Sequence, residues 1–183
     1  ETIDTPLVII PTPLEECDDD YDGIVSYFDL ESKTDEILNG QTGVTVSYHE
    51  TINDAENNLT GLVGLYTNFD ADNQTLYVRL EDDITICVAI TTLELIVNPI
   101  PEVITPPVLE VCDANYDGIT TIDLNTLDTT ILNGQIGISV TYHLTQQNAD
   151  DDINALPVNY ENISSPFTQE LYVRLENDLT GCY

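Results

Sequence analysis

The chain is nearly without positive charge. Among 183 residues there are 3 Lys+Arg against 34 Asp+Glu, a formal net charge of −31. Proteins that bind nucleic acid neutralise phosphates with Lys and Arg, so that class is excluded. An anionic membrane surface would repel the chain for the same reason. No apolar run approaches the ~18 residues of a membrane-spanning helix, so direct membrane insertion is not expected. Methionine is absent, and the start Glu1-Thr2-Ile3-Asp4 has neither the basic residues nor the apolar core of a signal peptide. These features predict a processed protein or a window of a longer one. No G-x-S-x-G, HExxH, P-loop or GxGxxG occurs. With 34 acidic residues, a pair of carboxylates says nothing about acid–base chemistry. The chain is not expected to be an enzyme. What is present is apolar content: 42% hydrophobic residues, with 10 Tyr and 3 Phe. That is too much for an acidic disordered tail and predicts a folded, acid-coated protein.

The sequence repeats itself. Cys17-Asp18-Asp19-Asp20-Tyr21-Asp22-Gly23-Ile24 returns as Cys112-Asp113-Ala114-Asn115-Tyr116-Asp117-Gly118-Ile119. Ile37-Leu38-Asn39-Gly40-Gln41 returns as Ile131-Leu132-Asn133-Gly134-Gln135, and Tyr48-His49 as Tyr142-His143. Leu76-Tyr77-Val78-Arg79-Leu80-Glu81 returns as Leu171-Tyr172-Val173-Arg174-Leu175-Glu176, and Cys87 as Cys182. The offset is 95 at the ends (112 − 17) and 94 in the middle (142 − 48). The predicted organisation is a linker over 1–13, module 1 over 14–98, a Pro-rich linker over 99–108 and module 2 over 109–183. Proline fixes φ and favours an extended connection. Module 2 lacks a counterpart of Leu93-Glu94-Leu95-Ile96-Val97, so a last strand, and a chain that continues, are expected.

Each module reads as β. Val44, Val46 and Tyr48 alternate with polar residues, as do Leu76, Val78 and Leu80. Val88-Ala89-Ile90, Leu93 to Val97 and Ile24 to Phe28 predict further short strands. Asp35 to Leu38, stopped by Asn39-Gly40, predicts one helical turn. The fold class expected is all-β: two tandem Ig-like β-sandwich modules, each with an N-terminal calcium loop and an intramodule disulfide.

Cysteine spacing is the same in both modules: 70 residues from Cys17 to Cys87 and from Cys112 to Cys182. The readings are an intramodule disulfide, buried thiols or a metal site. A zinc site lacks a CxxC or a nearby His pair. Pairing within a module is the expectation, and it implies an oxidising compartment.

Asp18-x-Asp20-x-Asp22-Gly23 and Asp113-x-Asn115-x-Asp117-Gly118 fit the start of a D-x-[DN]-x-[DN]-G calcium loop. Alternate side chains converge on one ion and Gly makes the turn. Ile24 and Ile119 would offer backbone carbonyls, and Asp29 and Asp123 are candidate closing ligands. One Ca²⁺ per module is expected. The plain alternative is an acidic turn without metal. His49 and His143 read as strand-face packing residues. Arg79 and Arg174 read as local partners of neighbouring carboxylates. Asn58, Asn73 and Asn162 open glycosylation triplets, and Asp128-Thr129-Thr130 resembles a short O-glycosylation signal.

Taken in order, C-D-x-[DN]-x-D-G, I-L-N-G-Q, T/S-Y-H, L-Y-V-R-L-E and T-x-C resemble a tandem module of very large flavobacterial surface proteins. These include adhesins exported by the type IX system and used in gliding and attachment. Module 1 departs from the pattern by one extra residue before Asp29-Leu30 and by Ile86 where module 2 has Gly181. The resemblance implies an extracellular, repetitive, calcium-rich stalk or filament on a bacterial surface. The expected partners are neighbouring modules, with surface polysaccharide or other copies in a filament as further candidates. The alternatives are a polysaccharide- or ligand-binding module and a strand-exchanging filament subunit.

Overall fold

The computed structural model describes residues 5–162 and 167–183. The first four residues of the expected 1–13 linker lie outside them, as do Ile163 and Ser164 of the third glycosylation triplet. The chain divides into two compact units, Glu1–Pro99 and Ile100–Tyr183.

Unit 1 runs β1 (Leu14–Cys17), β2 (Phe28–Asp29), a 3₁₀ turn (Leu30–Lys33), α1 (Thr34–Leu38), β3 (Val44–His49), α2 (Ile52–Asn57), β4 (Leu65–Tyr66), β5 (Asn73–Asp82) and β6 (Val88–Asn98). β1, β6, β5 and β3 form one sheet in that order, and β2 and β4 form a separate ribbon. β1 runs parallel to β6, with Leu14 opposite Leu95 and Cys17 opposite Asn98. β5 is antiparallel to both β6 and β3. The alternation read from the sequence sets the core: Leu76, Val78 and Leu80 are fully buried on one face with Leu93, Leu95 and Phe28.

Unit 2 repeats most of this: β7 (Thr121–Asp123), a 3₁₀ turn (Leu124–Thr126), α3 (Asp128–Leu132), β8 (Ile138–His143), α4 (Gln146–Asp150), β9 (Asn159–Glu161) and β10 (Tyr172–Asn177). β8 pairs with β10 and β7 with β9, both antiparallel. Its core gathers Leu124, Ile131, Tyr142, Tyr160 and Leu175.

Strand exceeds helix, 31% to 16%, so the chain is mostly β. The strictly all-β expectation nevertheless missed two helices. α2 and α4 are capped by Thr51 and Thr145, whose hydroxyls accept the Asp54 and Asn148 amides at 3.1 and 3.2 Å. Such N-caps satisfy amides that have no partner within the helix, and T-x-x-[DN] was a legible signal for them. The two short strands expected over 88–97 are one strand, because β-branched Thr91 and Thr92 continue an extended backbone. The strand expected from Ile24 shrinks to Phe28–Asp29.

The I-L-N-G-Q motif has a clear task. Asn39 and Asn133 end their helices in the left-handed region at φ 46 and 47°. The following glutamines then grip the incoming chain. Gln41 accepts the Leu7 amide and donates to its carbonyl, at 2.7 and 3.0 Å. Gln135 does the same to Glu102, at 2.8 and 3.0 Å. Thr12 is held by Glu36 and Lys33. The described parts of both expected linkers are therefore tied by side chains to the module that follows.

Candidate functional site

The acidic loop of unit 1 follows β1 directly. Asp20 N–H and Tyr21 N–H donate to Asp18 Oδ1 at 3.2 and 3.1 Å, and Gly23 N–H donates to Asp18 Oδ2 at 3.0 Å. Asp22 N–H donates to Asp20 Oδ1, and Ile24 N–H to Asp22 Oδ1 at 2.7 Å. Each carboxylate thus turns the backbone two residues on, as Asp side chains do in tight turns. One carboxylate oxygen from each of Asp18, Asp20 and Asp22 falls within 4.8 Å of the others. Tyr21 (φ 67°) and Gly23 (φ 75°) take left-handed backbone to close the turn.

Unit 2 builds the same ladder. Asp113 accepts the Asn115, Tyr116 and Gly118 amides, the last at 2.7 Å, and Asp117 accepts Ile119 N–H at 2.8 Å. Asn115 donates its side-chain amide to Asp117 at 2.8 Å. The three loop positions therefore carry two carboxylates where unit 1 has three.

The electrostatics follow. Partial burial pushes Asp18 up, but the amides of Asp20, Gly23, Tyr21 and Asp22 outweigh it and hold the carboxyl below its ordinary value. The Gly118 and Asn115 amides hold Asp113 low in the same way. Asp20 moves the other way, raised by desolvation and by its neighbours Asp22 and Asp19. The loop therefore stores unfavourable negative charge at Asp20 that a cation would relieve.

The expected closing ligands are not gathered with the rest. Asp29 pairs with Leu65 in the β2–β4 ribbon, and Asp123 spends its carboxylate on the Asn125 amide at 3.2 Å. Ile24 and Ile119 enter the ladder through their amides. The donor set is all hard oxygen and suits Ca²⁺ in kind.

A residue that the sequence reading missed secures each loop. Asn68, 2% exposed, accepts Val25 N–H at 2.6 Å and donates to the Gly23 and Asp70 carbonyls at 2.8 and 2.9 Å. Asn162, 6% exposed, accepts Thr120 N–H at 2.7 Å and donates to the Gly118 carbonyl at 2.8 Å. Asn162 is thus a buried clamp. Its equivalence to Asn68 (162 − 68 = 94) was readable from the repeat.

The intramodule disulfides are overturned. Cys17 and Cys182 are disulfide-bonded, whereas Cys87 and Cys112 are free thiols. The reason lies in the parallel β1–β6 pair. Cys17 sits opposite Asn98 at the end of β6, and Cys87 immediately precedes the start of that strand at Val88. Eleven residues of strand at about 3.3 Å each separate them by roughly 30 Å or more. A disulfide needs Cα atoms within about 7 Å.

The histidines and arginines line the second face of the sheet, under α2 or α4. His49 and His143 are fully buried. Their Nδ1 atoms meet the Leu59 and Ile153 carbonyls at 2.7 and 3.0 Å, and their Nε2 atoms meet Ser47 and Thr141 hydroxyls at 2.9 Å. Arg79 pairs with Glu81 as expected, but it is buried and also donates to the Ala55 and Glu56 carbonyls at the end of α2. Arg174 does the same with Glu176, Ala149 and Asp150. Its guanidinium lies 3.3 Å above the Tyr183 ring.

A family model described as the Flavobacterium inter-domain disulphide bond domain matches twice, over residues 13–101 and 108–183. No curated protein matches the chain, and no solved structure does.

Proposed function

From the premise that the chain belongs to the Flavobacterium inter-domain disulphide bond domain family, we propose that it is a structural segment of a large secreted adhesin or filament on a bacterial surface. Such a segment extends an adhesive tip for attachment or gliding. The cysteine pattern carries the reading. Cys17 and Cys112 are equivalent, as are Cys87 and Cys182, and one member of each pair is oxidised while the other is free. A bond from the first cysteine of one module to the last cysteine of the next, Cys17 to Cys182, accounts for that state. Repeated along an array, the rule pairs Cys87 with a preceding module and Cys112 with a following one. Every junction would then be laced covalently, which suits a tether under load and an oxidising exterior. The chain-entropy estimate for closing this 165-residue loop (182 − 17) is about 5 kcal/mol.

An Ig-like sandwich is our reading of each module, supported in unit 1 by a four-stranded sheet and a two-stranded ribbon that share one core. One Ca²⁺ per loop belongs to the same proposal. Asp18, Asp20 and Asp22 would hold it in module 1, and Asp113, Asn115 and Asp117 in module 2. The ion would offset two negative charges beside each first cysteine, part of the excess in module 1 and all of it at Asp113 and Asp117 in module 2.

Single-molecule pulling from the two ends tests the lacing. The oxidised chain should release only residues outside 17–182. Reduction should then free about 165 residues, some 550 Å at ~3.3–3.6 Å per residue. Two increments of about 70 residues would restore the intramodule pairing and remove the proposal. Labelling of intact cells by antibodies to this segment tests the location. Melting in calcium and in chelator tests the ion: a site at 100 times its Kd adds about 2.7 kcal/mol, and equal melting temperatures would eliminate it.

A further inference from the structure

The glutamine of I-L-N-G-Q is itself held in place in each unit. Its side-chain amide offers an acceptor oxygen and two N–H donors, and all are used. In unit 1, Gln41 Oε1 accepts the Leu7 amide at 2.7 Å, while Nε2 donates to the Leu7 and Leu38 carbonyls, both at 3.0 Å. In unit 2, Gln135 Oε1 accepts the Glu102 amide at 2.8 Å, while Nε2 donates to the Glu102 and Leu132 carbonyls at 3.0 and 3.1 Å. The backbone amides of Gln41 and Gln135 donate to the same Leu38 and Leu132 carbonyls, both at 2.8 Å. A helix leaves its last carbonyls without partners inside it, and here they anchor the glutamine through both backbone and side chain. A carbonyl only accepts, so it fixes where the side-chain nitrogen lies and hence the orientation of the whole amide.

The gripped residue is read through its main chain alone. It is Leu7 in one unit and Glu102 in the other, and both are exposed. The residue before it is proline in both, Pro6 and Pro101, and both prolines are buried. Proline is mostly an exposed residue, so burial at two equivalent positions makes it part of the site. Its fixed φ also presents the chain in an extended form that needs little further ordering. Unit 1 adds a second hold. Thr12 gives its amide and hydroxyl to Glu36 at 2.6 and 3.0 Å, and Lys33 donates to the Thr12 hydroxyl at 2.7 Å. The corresponding residues of unit 2 are Pro107, Thr130 and Leu127. Pro107 has no amide to give and Leu127 no donor, so that hold cannot be rebuilt there.

We propose that each module carries a recognition site for an extended Pro-x segment of polypeptide, in which the proline is required, the side chain of x is free to vary, and the occupant is the module's own incoming chain. The strap held in this way opens as a unit while the module behind it stays folded. It opens more readily in unit 2, where Gln135 acts without a counterpart of the Thr12, Glu36 and Lys33 hold. The capture of Glu102 leaves only residues 99–101 between the end of β6 at Asn98 and a point fastened to the following module. The site stands whether or not the chain is a surface stalk.

Amide hydrogen exchange, followed by NMR on the intact oxidised chain, tests the proposal, with the β8 and β10 amides as the internal record of folding. Gln135→Ala should lower the protection of the Glu102 amide roughly tenfold and leave β8 and β10 as protected as in the parent. Gln135→Glu keeps the acceptor but loses both donors, and should also expose that amide. Pro101→Ala should lower its protection several-fold. Glu102→Leu, which copies Leu7, should keep it. In the parent, Leu7 should be better protected than Glu102. An unchanged Glu102 amide in both Gln135 variants, full protection in Pro101→Ala, loss of protection in Glu102→Leu, or a parent in which Glu102 outlasts Leu7 would each overturn the proposal.

Discussion

Gly23 has no room for a side chain beside Asp72: a Cβ there would lie 2.8 Å from Asp72 Oδ1 and 3.0 Å from its amide nitrogen. The same amide donates to the Gly23 carbonyl at 3.2 Å, so the acidic loop and the start of β5 are held together at contact distance. The glycine answers two demands, a φ of +75° and close approach of a neighbouring backbone.

Gly23→Ala should therefore destabilise unit 1 by about 1–3 kcal/mol. Gly23→Asn should recover little, since Asn relieves the left-handed backbone but not the clash. Gly40 has φ +80° but nothing within 4 Å of a would-be Cβ, so Gly40→Asn should cost only its left-handed backbone strain and less than Gly23→Ala. Chemical denaturation of the three variants checks the ordering, and equal losses at both glycines would show that backbone strain alone acts.

Asn68→Ala and Asn162→Ala should each cost about 1–3 kcal/mol, because buried amides and carbonyls of the loops lose their partners. Asn68→Asp should be as damaging, since a carboxylate cannot donate to the Gly23 carbonyl. Mass spectrometry of material from a glycosylating host should find the Asn162 peptide unmodified.

Arg79→Met removes the donor that holds the last carbonyls of α2 and leaves Glu81 without its partner. The expected loss is on the order of 3 kcal/mol. Arg79→Lys should not rescue it, because an ammonium lacks the fork that serves Glu81 and two carbonyls together. Arg174→Met should behave alike in unit 2. A Lys variant as stable as the parent would contradict the geometric reading.

The two sides of the charged loop predict opposite responses to pH. Asp18 is held below its ordinary 3.8, so its stabilising contribution is present above that value and is lost as pH falls through the depressed folded value. Asp20 is raised above 3.8, so its ionisation costs stability once pH rises through the folded value. In chelator at neutral pH, Asp20→Asn, which copies Asn115 of unit 2, should melt above the parent and Asp18→Asn below it. Both differences should shrink well below pH 3.8. Thermal melts across that range check the signs, and a stabilised Asp18→Asn would refute the hydrogen-bond account.

Short-range features were legible because they rest on short-range physics. Asp18 to Gly23 is an Asx ladder whose partners lie two to five residues apart. Asn39 and Asn133 stop helices locally. The alternation of Leu76, Val78 and Leu80 names its buried face without outside help. The repeat itself exposed the equivalent positions, including both cysteine classes. Tertiary structure decided what needed distant partners. Asn68 meets Gly23 across 45 residues, and nothing in its neighbourhood announces that contact. His49 and Arg79 read as polar-face residues until α2 covers that face and buries them. The cysteines illustrate the limit most clearly. A common spacing of 70 made pairing within a module the simple reading, but the parallel β1–β6 pair carries Cys17 to the far end of the strand that begins after Cys87. Composition and period fix which residues are equivalent and which way they face. Only the path of the chain fixes which of them meet.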